Sequence, residues 1–191
     1  MKIEPSVVAF DIDGVVADTM RLFLSVASLE FGIKSIRYED IVDYDIRKCM
    51  DISEDMIMEI IVKIMDKDYS MQLNPIKDAP RVLKTLNKQH RPTLFVTARP
   101  EKGPVTQWLY ENLGLQNGAI EVMATGSFEA KREILTERNI LYFVEDRLET
   151  CFLLAEAGIE PIVFKQPWNR KPHPFSEVDN WREIESLIRL Q

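Results

Sequence analysis

Val7-Val8-Ala9-Phe10-Asp11-Ile12-Asp13-Gly14-Val15-Val16 is the stretch that decides the fold. Apolar residues lead into two carboxylates one residue apart and then a glycine, the pattern of a buried strand running into a polar turn. A strand without polar alternation is covered on both faces, which puts it inside a parallel sheet. Such sheets bind their ligands beyond the carboxyl ends of their strands, so Asp11 and Asp13 fall where chemistry is done.

Working outward, residues 18–31 read as a helix with Leu22, Phe23, Val26, Ala27 and Leu29 on its apolar face and Gly32 as its stop. A polar, irregular stretch covers 34–51. Ser53 then caps a helix whose Ile57, Ile60, Ile61, Ile64 and Met65 share one side, a stripe that serves as the core of an insert. No strand pattern appears between Asp18 and about Leu73. From Asp78 onward helices and short apolar strands alternate, with strands expected at 93–97, 119–123, 141–144 and 161–164 and a last helix at 181–190. The expected architecture is α/β: a Rossmann-like, mostly parallel five-stranded sheet with helices on both faces. A small all-helical cap follows the first strand, so that residues 1–17 and 76–191 form the core and 18–75 the cap.

With 191 residues, 46% of them hydrophobic, the chain can bury a full core. A net charge of -7 argues against a nucleic-acid polymer as partner, because phosphate backbones are held by clustered Lys and Arg. Cys49 and Cys151 have no CxxC or His-rich surroundings, which points to a reducing compartment and no thiolate metal site. No apolar run approaches the ~20 residues of a membrane span, and the N-terminus lacks the layout of a secretory signal. A cytoplasmic protein is expected, with a homodimer allowed.

If the strands are parallel, their carboxyl ends bring together Asp11, Asp13, Thr97, Glu145 and Asp146, with Lys131 at the start of the helix before strand four. Clustered carboxylates repel unless a cation joins them, and an all-oxygen set suits Mg²⁺ with a phosphate. A carboxylate can attack phosphorus and form an aspartyl-phosphate. Thr97, the following backbone N–H at Ala98, Lys131 and Mg²⁺ would stabilise the phosphoryl oxygens. Asp13 is placed to protonate the leaving oxygen and then to activate water. Arg99, kept extended by Pro100, can reach the substrate phosphate or pair with a carboxylate.

In these motifs the chain resembles the haloacid dehalogenase-like hydrolases. Asp11-Ile12-Asp13-Gly14-Val15 matches their first motif, Phe95-Val96-Thr97 the second, Lys131 the third and Val144-Glu145-Asp146 the fourth. The resemblance implies Asp11 as nucleophile, Asp13 as general acid/base, and Thr97 and Lys131 as phosphate ligands. It also implies Mg²⁺ held by Asp11, the backbone carbonyl of Asp13 and Asp146, with Glu145 direct or through water. Within that family, Asp11-Ile12-Asp13-Gly14-Val15-Val16-Ala17-Asp18, Val96-Thr97-Ala98-Arg99-Pro100, and Phe143-Val144-Glu145-Asp146-Arg147 followed by Gln166-Pro167-Trp168-Asn169-Arg170 resemble the bacterial nucleotidase-like branch related to 5'(3')-deoxyribonucleotidases.

The reading is therefore a Mg²⁺-dependent phosphomonoester hydrolase acting on a nucleoside 5'- or 3'-monophosphate. Two alternatives stand beside it: a phosphatase for a sugar phosphate or other small phosphomonoester, and a non-catalytic regulator that binds Mg²⁺ and a phosphorylated ligand. A DxD-bearing sugar transferase leaves Thr97, Lys131 and the strand-four acids unexplained. Arg147 and Asn169 read as structural, His90 and His173 as solvated, and Trp168 as either a cover for the site or a packing residue.

Overall fold

A computed structural model describes residues 2–190. Its centre is β1 (Val8–Phe10), short and buried at every position. Beside it lie β2 (Thr93–Thr97) and β4 (Tyr142–Glu145), and the sheet continues outward through β3 (Ile120–Ala124), β5 (Glu160–Phe164) and β6 (Ser176–Val178). The order is β3-β2-β1-β4-β5-β6 and all pairings are parallel. The sheet therefore has six strands rather than five. The sixth was hidden because Ser176-Glu177-Val178 offers one apolar residue after a proline-rich loop, and it forms only by adding to the edge of β5 through Ile162 to Phe164.

Connections from β1 run one way to β2 and β3, and those from β4 run the other way to β5 and β6. The switch point lies at the carboxyl ends of β1 and β4, where this topology opens a crevice. Helices α4 (Ala79–Gln89), α5 (Gly103–Leu113), α6 (Lys131–Glu137), α7 (Leu148–Glu156) and α8 (Trp181–Leu187) supply the crossovers and the last layer. Trp181 of α8 packs 5.3 Å from the Phe10 ring and donates its indole N–H to the Val15 carbonyl at 2.8 Å. The turn after β1 is thus pinned from beneath.

Between β1 and α4 the chain forms α1 (Thr19–Glu30), α2 (Glu54–Met65) and the short α3 (Lys67–Ser70), with 3-10 turns at Tyr38–Asp40 and Ile46–Lys48. Asp18 caps α1 and Ser53 caps α2, each accepting a backbone N–H. The segment leaves and returns side by side, since Asp18 N–H bonds the Asn74 carbonyl and Ile76 N–H the Val16 carbonyl. Leu29, expected on the buried side of α1, is 81% exposed because the helix turns that position to solvent. Among the described residues no helix is long and apolar enough to cross a membrane.

Candidate active site

Beyond Phe10, Asp11 N–H continues the ladder to the Val144 carbonyl at 2.9 Å, which fixes Asp11 at the switch point. The chain then turns sharply through Gly14. This residue has φ +76, and a Cβ there would lie 2.1 Å from Asp146 Oδ2, so only glycine fits. The turn brings Asp11 against the end of β4, with Asp13 beside the end of β2.

Lys131 is 1% exposed and stands between two carboxylates, 2.9 Å from Asp11 Oδ1 and 2.8 Å from Glu145 Oε2. The contact to Glu145 is a hydrogen bond. The one to Asp11 is a charge contact off the hydrogen-bonding direction, and Asp11 Oδ1 has no hydrogen-bond partner. Burial, together with Glu145 and Asp13 and against Lys131, pushes Asp11 up to about 8. Lys131 is itself held charged: burial opposes the ammonium, and the attraction of Asp11 and Glu145 outweighs it.

Asp13 sits in the opposite environment. Arg99 grips it with two bonds, Nη2 to Oδ1 at 2.7 Å and Nε to Oδ2 at 2.9 Å, while Thr19 and Thr97 donate to the same carboxylate. Burial would raise Asp13, but the guanidinium and its hydrogen bonds win and hold it below its ordinary value. Arg99 Nη1 donates to Ser70 Oγ at 3.1 Å, so one buried cation ties the end of β2 to α3.

The acids after β4 divide their work. Glu145 accepts from Lys131 through one oxygen and from the backbone N–H groups of Asp146 and Arg147 through the other. Asp146 accepts the Trp168 indole N–H on Oδ2 at 2.9 Å, leaving Oδ1 buried and unpartnered. Burial, then Glu145 and Asp11, push Asp146 well above the usual carboxylate range. An unpartnered buried polar atom costs about 1–3 kcal/mol, more when charged. Asp146 Oδ1 therefore marks a place for a positive ligand, beside the Asp11–Lys131 ion pair. Asp11, Glu145 and Asp146 offer oxygens within 4.8 Å of one another, an all-oxygen set for a hard cation. Asp146 Oδ1 is the open buried atom of this set, since Asp11 Oδ1 faces Lys131 and both Glu145 oxygens are engaged.

Thr97, Ala98 and Arg99 line the same cavity as Asp11, Asp13, Lys131 and Asp146, which has a volume of about 540 Å³. Several contributors lie outside the four family motifs, in the stretch 166–170. Trp168 both packs and reaches the site through Asp146, and Asn169 holds the Asp146 and Phe164 carbonyls at 2.8 Å. Gln166 donates to the Gly14 carbonyl and accepts from the Tyr38 hydroxyl. The rest of the cavity wall is mostly apolar and comes from the segment between β1 and α4: Met20, Phe23, Ile57, Ile61, Ile64 and Met65, with the polar Thr19, Tyr44, Asp45 and Arg47 among them and, from the loop before α6, Phe128. The α2 stripe thus serves as both packing and cavity lining. His173, expected in solvent, keeps its ring 4% exposed, 3.0 Å from Glu177 and stacked on Phe175, because β6 folds the polar loop back on itself.

Against known proteins, the family described as "5' nucleotidase, deoxy (Pyrimidine), cytosolic type C protein" matches residues 5–191. "Putative nucleotidase BH1399" of Halalkalibacterium halodurans is 28% identical over 184 residues, covering 93% of this chain and 90% of that protein. The 5'(3')-deoxyribonucleotidase of Bacillus subtilis is 25% identical over 185 residues, covering 95% and 98%. A haloacid dehalogenase-like family hydrolase of Streptococcus pneumoniae shares the fold, with a TM-score of 0.63 at 14% identity over 94% of this chain and 96% of that one. The chain belongs to the matched nucleotidase family and is a phosphatase on the haloacid dehalogenase-like fold.

Proposed function

From that membership we propose that the protein hydrolyses nucleoside 5'- or 3'-monophosphates through an aspartyl-phosphate on Asp11, with Mg²⁺ as cofactor. One observation carries this reading: a charged floor, with Asp146 Oδ1 unpartnered beside the Asp11–Lys131 pair, lies under a mostly apolar wall in a single cavity of about 540 Å³. The floor suits a phosphoryl group and a cation, and the wall suits the flat, weakly polar face of a base. A sugar phosphate would leave its hydroxyls against Met20, Phe23 and Ile61 without partners.

In the first step an Asp11 oxygen attacks phosphorus, the P–O ester bond breaks, and the leaving oxygen takes a proton from Asp13 and departs as the alcohol. In the second, Asp13 takes a proton from water as the water attacks phosphorus, freeing inorganic phosphate and Asp11. Thr97, the Ala98 N–H and Lys131 bind the phosphoryl oxygens as charge moves among them. Mg²⁺ would be held by Asp11, the Asp13 carbonyl and Asp146, and would supply further charge stabilisation there. Glu145 orients Lys131 and serves the cation from the second layer. Arg99 holds Asp13 ionised in this structure, so Asp13 takes up a proton before the first step and is already set for the base half of the second.

We take residues 18–75 as the cap that selects the leaving group. A cytoplasmic setting accords with Cys49 and Cys151, both free. The deciding experiment is a panel of nucleoside monophosphates and sugar phosphates with Mg²⁺, then with chelator. Turnover of nucleotides, lost on chelation, is expected; preference for sugar phosphates would overturn the substrate, and activity insensitive to chelator would overturn the cofactor.

A further inference from the structure

The wall contributed by residues 18–75 holds four polar side chains that face the cavity: Thr19, Tyr44, Asp45 and Arg47. Thr19 is committed to Asp13, while Asp45 and Arg47 pair with each other and Arg47 also with Glu54. Tyr44 is different. Among the described residues its hydroxyl has no hydrogen-bond partner; the residue is half-buried and its hydroxyl is open to the cavity it lines. A cavity-lining Tyr hydroxyl without a protein partner is free to bond what the cavity holds.

The ring is fixed from two sides. Phe128 meets it edge-on at 5.7 Å, and the Arg147 guanidinium carbon lies 5.3 Å from its centroid and 4.2 Å from that of Phe128. These contacts join the irregular stretch before α2 to the loops at the carboxyl ends of β3 and β4. Tyr44 is thereby held over the floor rather than among the aliphatic residues of the wall. We infer that the Tyr44 hydroxyl is a substrate ligand, donating a hydrogen bond to the phosphoryl group bound on Asp11, Thr97 and Lys131. The inference rests on the phosphatase reading and adds a contact that comes from the opposite side of the cavity.

The surrounding chemistry fixes the direction of the bond. Burial first, then Asp146, Asp11, Glu145 and Asp13, push the phenol well above its ordinary value, so it stays protonated and acts as a donor. The carboxylates that could accept from it have other partners or face the cation position. A phosphoryl oxygen brings negative charge and spare lone pairs, and a charge-assisted bond of this kind is among the stronger ones.

Tyr44→Phe removes the donor and leaves the ring, its edge contact with Phe128 and its stacking with Arg147. The probe is inorganic phosphate, measured by calorimetry with Mg²⁺ present, alongside kcat/KM on p-nitrophenyl phosphate and on a nucleoside monophosphate. The expected result is phosphate binding weakened about tenfold or more, an equal or larger loss of kcat/KM on both substrates, and an unchanged Tm. Unaltered phosphate affinity overturns the inference, whether the nucleotide's KM alone rises, which would assign the hydroxyl to the leaving group, or nothing changes. If the wild-type protein neither binds phosphate nor cleaves either ester, the phosphatase reading falls and takes this inference with it. Wild-type turnover with an unaffected Tyr44→Phe variant removes the inference alone.

Discussion

The floor and the wall of the cavity are built by opposite rules. On the floor nearly every polar atom is spoken for: Lys131 links Asp11 to Glu145, Arg99 clamps Asp13, and Trp168 and Asn169 hold Asp146. Asp146 Oδ1, without a partner, stands out against that order. On the wall, Met20, Phe23, Ile57, Ile61 and Met65 offer surface without direction. A preorganised floor stabilises one charge distribution, whereas an apolar wall admits shapes and rejects unpaired polarity. On the proposed reading the floor carries the chemistry, joined from the wall by the Tyr44 hydroxyl, and the apolar remainder of the wall carries selection.

That division can be broken experimentally, most forcefully at the floor. Asp11→Asn should lower kcat on the order of 10⁵-fold, by the same factor for every phosphate ester. A loss that depends on the leaving group would show that floor and wall are not separable. At the wall, Ile61→Asn should raise KM for a nucleoside monophosphate about tenfold and leave kcat alone. A matching fall in kcat would mean that the wall takes part in the chemical step.

The smallest effect concerns stability without metal. Asp11 sits at about 8 in the fold against an ordinary 3.8, so between those pH values the folded chain keeps a proton that the unfolded chain has released. Its contribution is fully present below the lower value and is lost as pH rises toward the upper one. The Tm of chelator-treated protein should decline over that range, and Asp11→Asn should flatten the decline. A Tm that climbs instead would place the dominant titration elsewhere.

The floor was legible in the sequence because each of its acids ends an apolar run: Val8-Ala9-Phe10 before Asp11, and Phe143-Val144 before Glu145 and Asp146. Strand direction then does the rest, delivering distant residues to one edge. Tyr44 and Tyr38 lie in or beside 3-10 turns without periodicity, and only tertiary contacts with Phe128, Gln166 and Trp168 give them a place. Ser70 closes a helix of four residues, too short to leave an amphipathic trace. Arg99 could be read as able to find a carboxylate, but its choice of Asp13 depends on a turn whose shape Gly14 decides.

The bond from Arg99 to Ser70 gives the inserted helices a stake in the charge balance beneath them. Ser70 is fully buried and also donates toward the Ile64 carbonyl at the end of α2. Any separation of these helices from the sheet strips a partner from a buried guanidinium and admits water to the Asp13 pair. The partners of the Asp13 pair therefore depend on where the inserted helices sit, through Ser70 of α3 on the guanidinium and Thr19 of α1 on the carboxylate.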